Sequence, residues 1–250
     1  RRLSATFHRR KSCRLCGSAE LTRVLALEPT PPANAFVPKT ALNKPQETFP
    51  LDVFFCENCG HVQLLDVVNP ELLFGNYVYV SGTSPIFVKH FQEYADAVCS
   101  AYVPNPVGQF ALDIGSNDGT LLKKFQAKGM AVLGIDPARD IAAQATKDGI
   151  ETRATFFTAG LATEIRAEFG PAQVITANNV FAHADDLAGI AKGIRALLAP
   201  DGVFVFEVSY LVDVFEKTLF DTIYHEHLAY HSVSPLKRFF AAHDMQIIAA

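Results

Sequence analysis

The spacing of apolar and polar positions changes character near Gln109, and that change divides the chain. From there on, short apolar runs alternate with amphipathic stretches. Residues 110–114 (Phe-Ala-Leu-Asp-Ile) read as a buried strand, followed by a glycine turn and a helix over 120–128. Residues 131–136 read as a second strand and 140–147 as a helix. A strand is predicted at 173–177, then a helix over 186–198 closed by Ala199-Pro200-Asp201-Gly202. Residues 203–208 give another strand, 235–243 a helix and 245–250 a last strand. Strands and helices in alternation predict an α/β fold with a parallel, doubly wound sheet.

Upstream the pattern differs. Over 84–102 apolar or aromatic positions recur at Ile86, Phe87, His90, Phe91, Tyr94, Ala97 and Val98, close to the helical period, and Pro104 and Pro106 punctuate the end. Before that, Glu28-Pro29-Thr30-Pro31-Pro32 forbids regular helix, and residues 51–55 read as a strand. Residues 1–11 are basic and patternless, a lead-in with no packed structure expected. The predicted organisation is therefore a small domain over 13–75, a helical linker or lid over 76–108, and an α/β domain over 109–250 that is incomplete at its C-terminal end.

Composition narrows the function. The chain has 250 residues, 49% of them hydrophobic, enough for one small and one medium domain. Charged residues are 19% and the net charge is −4, with no clustered basic surface, so a nucleic-acid partner is not expected. No run of apolar residues is long enough for a membrane helix and no secretion signal is visible, so a cytoplasmic location is expected. The chain begins at Arg1 rather than Met, and the native start is expected upstream. The sequence leaves the oligomeric state open.

Four of the five cysteines fall in two matched knuckles, Cys13-Arg14-Leu15-Cys16-Gly17 and Cys56-Glu57-Asn58-Cys59-Gly60. Each CxxC sets two thiolates on one turn. Four thiolates favour a tetrahedral Zn²⁺ with no open position, hence a structural site on Cys13, Cys16, Cys56 and Cys59. A redox CxxC or plain buried cysteines are the alternatives. His61 follows the second knuckle and is expected to be exposed, and Cys99 reads as an inert core residue.

Two further segments carry chemistry. Leu112-Asp113-Ile114-Gly115-Ser116-Asn117-Asp118-Gly119-Thr120 leaves a strand and opens a helix, a turn that lets backbone approach a ligand. It lacks the G-x-G-x-x-G of dinucleotide sites. Asp113 suits a cationic, amino-acid-bearing ligand, and Asp136, ending the next strand, suits a ribose diol. The second segment, Tyr224-His225-Glu226-His227-Leu228-Ala229-Tyr230-His231, crowds three imidazoles, a carboxylate and two phenols into one stretch after the strand at 203–208. If extended, it would set His225 and His227 on one face and Glu226 on the other. A general base, a second metal site or an ordinary solvated loop all fit these residues. His183, after the strand at 173–177, is expected to face the same cleft, as a chemical group or a plain hydrogen-bonder. Tyr77 and Tyr79 are lid or core candidates.

The turn at 112–120, with Asp136 and Leu197-Leu198-Ala199-Pro200-Asp201-Gly202, resembles the class I S-adenosylmethionine-dependent methyltransferases, with their Rossmann-like doubly wound sheet. That likeness implies cofactor contacts from Asp113, Gly115, Asn117, Gly119, Asp136 and Asn178. Adding the two knuckles, Tyr77-Val78-Tyr79-Val80-Ser81-Gly82-Thr83-Ser84 and Tyr224-His225-Glu226-His227, the chain from Cys13 onward resembles the zinc-containing sugar C-methyltransferase family. That family methylates C-3 of nucleotide-linked 4-keto-deoxysugars. The resemblance implies a small zinc-ribbon-like domain holding Zn²⁺, S-adenosyl-L-methionine as cofactor and a nucleotide-linked keto sugar as substrate. It also implies His227 as general base, with Tyr224, Glu226, His183 and Tyr79 around the sugar. Family members continue past Ala250 into a further C-terminal domain, so the resemblance implies that this chain is a fragment. Two other functions compete: methylation of oxygen or nitrogen on another metabolite, and a non-catalytic zinc- and cofactor-binding module.

Overall fold

The structure, a computed structural model, describes residues 6–75 and 80–250. Its elements in chain order begin with β1 (Phe7–Arg9), β2 (Leu21–Leu25), β3 (Val53–Cys56), β4 (Val62–Leu64), β5 (Asp66–Val68) and α1 (Pro70–Phe74). Next come α2 (Pro85–Tyr102), β6 (Phe110–Ile114), α3 (Thr120–Gln126), β7 (Ala131–Ile135), α4 (Arg139–Lys147), β8 (Thr152–Arg153), α5 (Ala159–Phe169) and β9 (Ala172–Asn178). The remainder comprises α6 (Leu187–Leu197), β10 (Leu198–Glu207), α7 (Leu211–Glu216), β11 (Ala229–Tyr230) and α8 (Val233–Ala241). They divide into two compact units. One runs to Leu73 and takes in Ala182–Ala188 and Val208–Ala250; the other comprises Phe74–Phe181 and Gly189–Glu207.

The second unit is the doubly wound one. Its five-stranded sheet has the order β10-β9-β6-β7-β8, with every pairing parallel. The central strand β6 is buried along its whole length, which is why its sequence is an apolar run and not an alternation. Phe91, Tyr94, Ala95 and Val98 of α2 pack with Leu121 and Phe125 of α3 on Ala111 and Val174 of the sheet. Ser84 caps α2, its side chain accepting from the Phe87 amide, with Pro85 in the first turn. Thr158 caps α5 in the same way. The sequence pattern misses β8 and α5. β8 has two residues, too few to show a period.

Antiparallel pairing builds the first unit. A four-stranded sheet runs β11-β4-β3-β2, and β1 pairs with β5. The edge strand β11 comes from the far end of the chain, with Ala229 opposite Gln63 and Tyr230 opposite Val62. Leu51, Val53, Leu64 and Val67 pack with Leu228 and Tyr230 beneath it.

Four expectations need correction. Within the lead-in expected to lack packed structure, Phe7–Arg9 form β1 and pair with β5, Arg9 opposite Asp66. The strand expected over 245–250 does not form: Asp244 takes a left-handed conformation (φ 55), and among the described residues no strand pairs with residues 245–250. The turn predicted at 199–202 instead falls within β10, whose register shifts between Leu198 and Val203. His61 is fully buried, not exposed, because the His231 ring stacks on it at 5.4 Å. Among the described residues, no helix is long and apolar enough to cross a membrane.

Candidate metal centre and active site

The knuckles meet because β3 leads into the second one while β2 pairs back on β3, with Leu21 opposite Cys56. Backbone bonds from Gly17 to Cys13 and from Gly60 to Cys56 close the two turns. The four sulfurs of Cys13, Cys16, Cys56 and Cys59 lie within 4.8 Å of one another, and the Cys13–Cys59 and Cys16–Cys56 pairs are 3.7 and 3.6 Å apart. A tetrahedral Zn²⁺ with bonds of about 2.3 Å needs sulfurs roughly 3.8 Å apart, and a disulfide would need about 2.05 Å. The donor set fits zinc and leaves no position for a substrate. Asn58 donates its side-chain amide to Cys16 at 3.4 Å, the kind of outer contact that orients a thiolate ligand.

Over residues 224–227 the histidine-rich segment is a turn, and only Ala229–Tyr230 extend, as β11, so the expectation of alternating faces fails for His225, Glu226 and His227. His227 donates its backbone N–H to the Tyr224 carbonyl at 2.9 Å, and the residues between wind around that bond. The three central side chains therefore part company. His225 is buried, with Nε2 on the Phe49 carbonyl at 3.1 Å. Glu226 is buried and accepts from the Asn34 amide at 2.8 Å; burial raises its carboxyl, and the Asn34 bond opposes the rise. His227 turns to a different set of partners.

The geometry fixes the His227 tautomer. Nδ1 lies 2.7 Å from the Thr222 carbonyl, which can only accept, so Nδ1 carries the proton. Nε2 is then left with its lone pair, 2.9 Å from the Tyr224 hydroxyl, which donates to it. The His183 ring stacks on His227 at 5.1 Å and 25°. Burial lowers His227, the Thr222 bond opposing; burial, with His227 adding, takes His183 down to about 3. Both imidazoles are neutral near pH 7. A neutral imidazole with one nitrogen pinned and the other presenting a lone pair is equipped to take up a proton.

In the second unit, β6 ends at the glycine turn. Gly115 has φ 73, and a Cβ there would come 2.2 Å from Val180 Cγ2; Gly119 also has φ 73, and its Cβ would meet Ile150 at 2.9 Å. Asp136, at the end of β7, accepts from the Asn117 amide through one oxygen and the Ala138 amide through the other, both at 2.8 Å. Asp113 is buried and accepts from the Thr176 hydroxyl at 2.6 Å; burial raises its carboxyl to about 7 against the Thr176 bond, and Asp136 adds to the rise. Asn178 ends β9, with the Tyr94 hydroxyl beside its amide.

Of the sequence-derived candidates, the structure gathers the four cysteines, sets His183 and Tyr224 against His227, and sends His225 and Glu226 to other partners. Asp113, Gly115, Asn117, Gly119, Asp136 and Asn178 lie at the C-terminal ends of β6, β7 and β9 or in the turn after β6. Tyr77 and Tyr79 fall outside the described residues. Sequence reasoning missed Arg14, Asn34 and Asp185, and also the turn over Ser81–Thr83. There the Ser81 and Gly82 amides donate to the Asn117 and Asp118 side chains at 2.9 Å. For Arg14 a signal was present: a long cation inside a cysteine knuckle.

Comparison with known proteins gives the class. A family model for a zinc binding domain matches residues 13–74, and one for a methyltransferase domain matches 87–250. The chain belongs to that methyltransferase family and carries the zinc-binding domain ahead of it. It is 35% identical over 236 residues to the C-methyltransferase NovU of Streptomyces niveus, a match spanning 94% of this chain and 56% of that protein. The chain thus spans little more than half the length of that curated relative. Among solved structures, it is similar to the plantazolicin methyltransferase BpumL in complex with SAH, at 17% identity over 61% of this chain and 63% of that one, with a TM-score of 0.49. It is also similar to the magnesium protoporphyrin IX methyltransferase ChlM of Synechocystis PCC 6803 with bound SAH, at 14% identity over 69% of this chain and 80% of that one, with a TM-score of 0.47.

Proposed function

We propose that the protein methylates carbon next to a ketone on a nucleotide-linked 4-keto-deoxysugar, using S-adenosyl-L-methionine. The observation that carries this reading is the His227 imidazole, its Nδ1 proton fixed on Thr222 and its Nε2 lone pair presented beside Tyr224 and His183. The 35% identity to a C-methyltransferase supports carbon as the acceptor.

Carbon needs such a base. A C–H next to a ketone is acidic enough for an imidazole to remove its proton, provided the enolate oxygen is stabilised. His227 takes that proton on Nε2 while Thr222 holds the other nitrogen. Tyr224 then has its hydroxyl released to donate to the developing oxygen. We assign His183, neutral and stacked on His227, to the sugar; Tyr79, which the family resemblance adds, lies outside the described residues. When bound, S-adenosylmethionine supplies an electrophilic methyl group. The residues we assign to holding it are the Gly115–Asn117–Gly119 turn, Asp113, Asp136 for the ribose hydroxyls, and Asn178. Zinc on the four cysteines is structural, and four reduced thiols suit the cytoplasm, where we place the protein.

The test is solvent exchange. A nucleotide-linked 4-keto-6-deoxysugar is incubated in D₂O with the protein and the demethylated cofactor, and deuterium at the carbon beside the ketone is followed by mass spectrometry. Enzyme-dependent exchange without methyl transfer is expected. Methylation of an oxygen or nitrogen acceptor with no exchange would overturn the reading.

A further inference from the structure

Arg14 lies inside the first knuckle, and its side chain is fully buried. A buried guanidinium costs several kcal/mol of desolvation unless it is well paired, so what it touches decides its role. Nη1 donates to the Gln63 side-chain oxygen at 3.0 Å, to the Leu64 carbonyl, and to the Leu228 carbonyl at 3.1 Å. Nε lies 3.2 Å from Asp185 Oδ1. Gln63 is held in turn by the Arg14 backbone amide at 3.1 Å.

These partners follow a pattern. Leu228 is the residue after His227, and Asp185 stands two residues beyond His183. One cation rooted beside Cys13 therefore grips both segments that carry the stacked imidazoles. Two more contacts brace the arrangement. The Ala229 amide donates to the Ala182 carbonyl at 3.1 Å, joining the same two segments, and Arg10 donates to Asp185 Oδ1 at 2.9 Å. The His227 turn is anchored on its C-terminal side by backbone, the Leu64 amide donating to the Leu228 carbonyl at 2.9 Å and β11 pairing with β4, and Arg14 adds the side-chain hold that ties it to the His183 segment.

We propose that Arg14 is a positioning residue that sets the spacing of His183 and His227 from the metal knuckle, so that the cysteine centre governs the chemistry through this guanidinium. The proposal rests on the reading of His227 as base. A displacement of about 1 Å in a base can cost on the order of 10²-fold in rate, which is the effect expected here.

The experiment compares Arg14→Met and Asp185→Asn with the unaltered protein. Histidine side-chain resonances are read in long-range ¹H–¹⁵N spectra, assigned with His183→Gln and His227→Gln. Zinc content, cofactor affinity and the exchange rate of the keto sugar are measured alongside. In Arg14→Met the His183 and His227 resonances should both move. The exchange kcat should fall roughly 10²-fold with KM little changed, while zinc and cofactor affinity stay as they were. A part confined to stability would lower the melting temperature and leave resonances and kcat in place, and that result overturns the proposal. Should Arg14→Met fail to fold, Asp185→Asn decides: its side chain is partly exposed, and it should move His183 more than His227. If it moves neither, the proposal is wrong. The spectra need no substrate, so a protein that exchanges no keto sugar refutes the functional reading while the resonances still judge Arg14.

Discussion

The two units solve the problem of presenting a site in opposite ways. In the second, the groups we assign to the cofactor belong to the backbone turn after β6, and their geometry is set within a few residues by positive φ angles and by Asp136 clasping the turn. In the first, three stretches of chain far apart in sequence converge, and the imidazoles are held by bonds from side chains to carbonyls: His227 to Thr222, His225 to Phe49, Arg14 to Leu228. A site made of backbone is as stable as the sheet it grows from. One made of converging side chains is as stable as whatever holds the segments together, here four cysteines and a buried arginine.

That contrast is sharpest when the metal is taken away. Binding energy in small zinc modules is folding energy, about 10–16 kcal/mol for structural zinc. Cys56→Ser, or a strong chelator, is expected to release the metal and unfold the first unit, with loss of near-UV dichroism and of all deuterium exchange. The sheet of the second unit should keep its cofactor affinity, measured by calorimetry. Well-folded protein that contains no metal on elemental analysis would refute the four-cysteine centre.

The next effect concerns chemistry alone. His227→Asn should lower exchange and methyl transfer by about 10²–10⁴-fold, the usual loss for a general base. Zinc content and cofactor affinity should be untouched. The pH dependence follows from the lowered imidazole. Because burial holds His227 below the ordinary histidine range near 6.5, the neutral form predominates at pH 7, and the exchange rate should fall as pH drops below 6.5. Stability carries the same sign. A histidine held at about 3 in the fold and near 6.5 when unfolded leaves the unfolded chain binding more protons between those values. The contribution of His183 is therefore fully present above 6.5 and is lost as pH falls from 6.5 towards 3. His183→Gln should flatten that acid limb in urea titrations at a series of pH values.

The same contrast explains what could be read from the chain. The strand at Phe110–Ile114, the glycine turn and the two cysteine knuckles are local patterns, where residue type and spacing state the geometry. The pairing of β11 on β4, and the burial of His61 beneath His231, depend on partners more than a hundred and fifty residues away. No window on the sequence contains them. The histidine-rich segment shows both sides: its composition announced chemistry, but an extended strand and a tight turn use the same residues. Only the Tyr224–His227 bond distinguishes them.

A smaller effect tests the backbone-made site. Asp136→Ala should weaken S-adenosylmethionine or its demethylated product by about 1.5–3 kcal/mol, the scale for losing bonds to a charged group. Part of that loss comes from freeing the Asn117 and Ala138 amides that the carboxylate holds. Zinc content should not change, and calorimetry showing unaltered affinity would remove Asp136 from the cofactor site.

The smallest effect separates two neighbouring histidines. His225 shares a motif with His227, and on sequence either could be the base. In the structure its Nε2 is committed to the Phe49 carbonyl, its ring meets the Phe49 ring edge-on at 5.9 Å, and burial lowers it as burial lowers His227. A lowered imidazole is thus not enough to make a base; what sets His227 apart is its neighbours, the Tyr224 hydroxyl at Nε2 and the stacked His183 ring. His225→Gln should remove one buried hydrogen bond, worth about 0.5–1.5 kcal/mol of stability in the first unit. Its exchange rate should stay near that of the unaltered protein, at saturating sugar and at a temperature where the variant is folded. If instead His225→Gln loses exchange as deeply as His227→Asn, the turn is not what selects the base, and the choice between the two imidazoles is reversed.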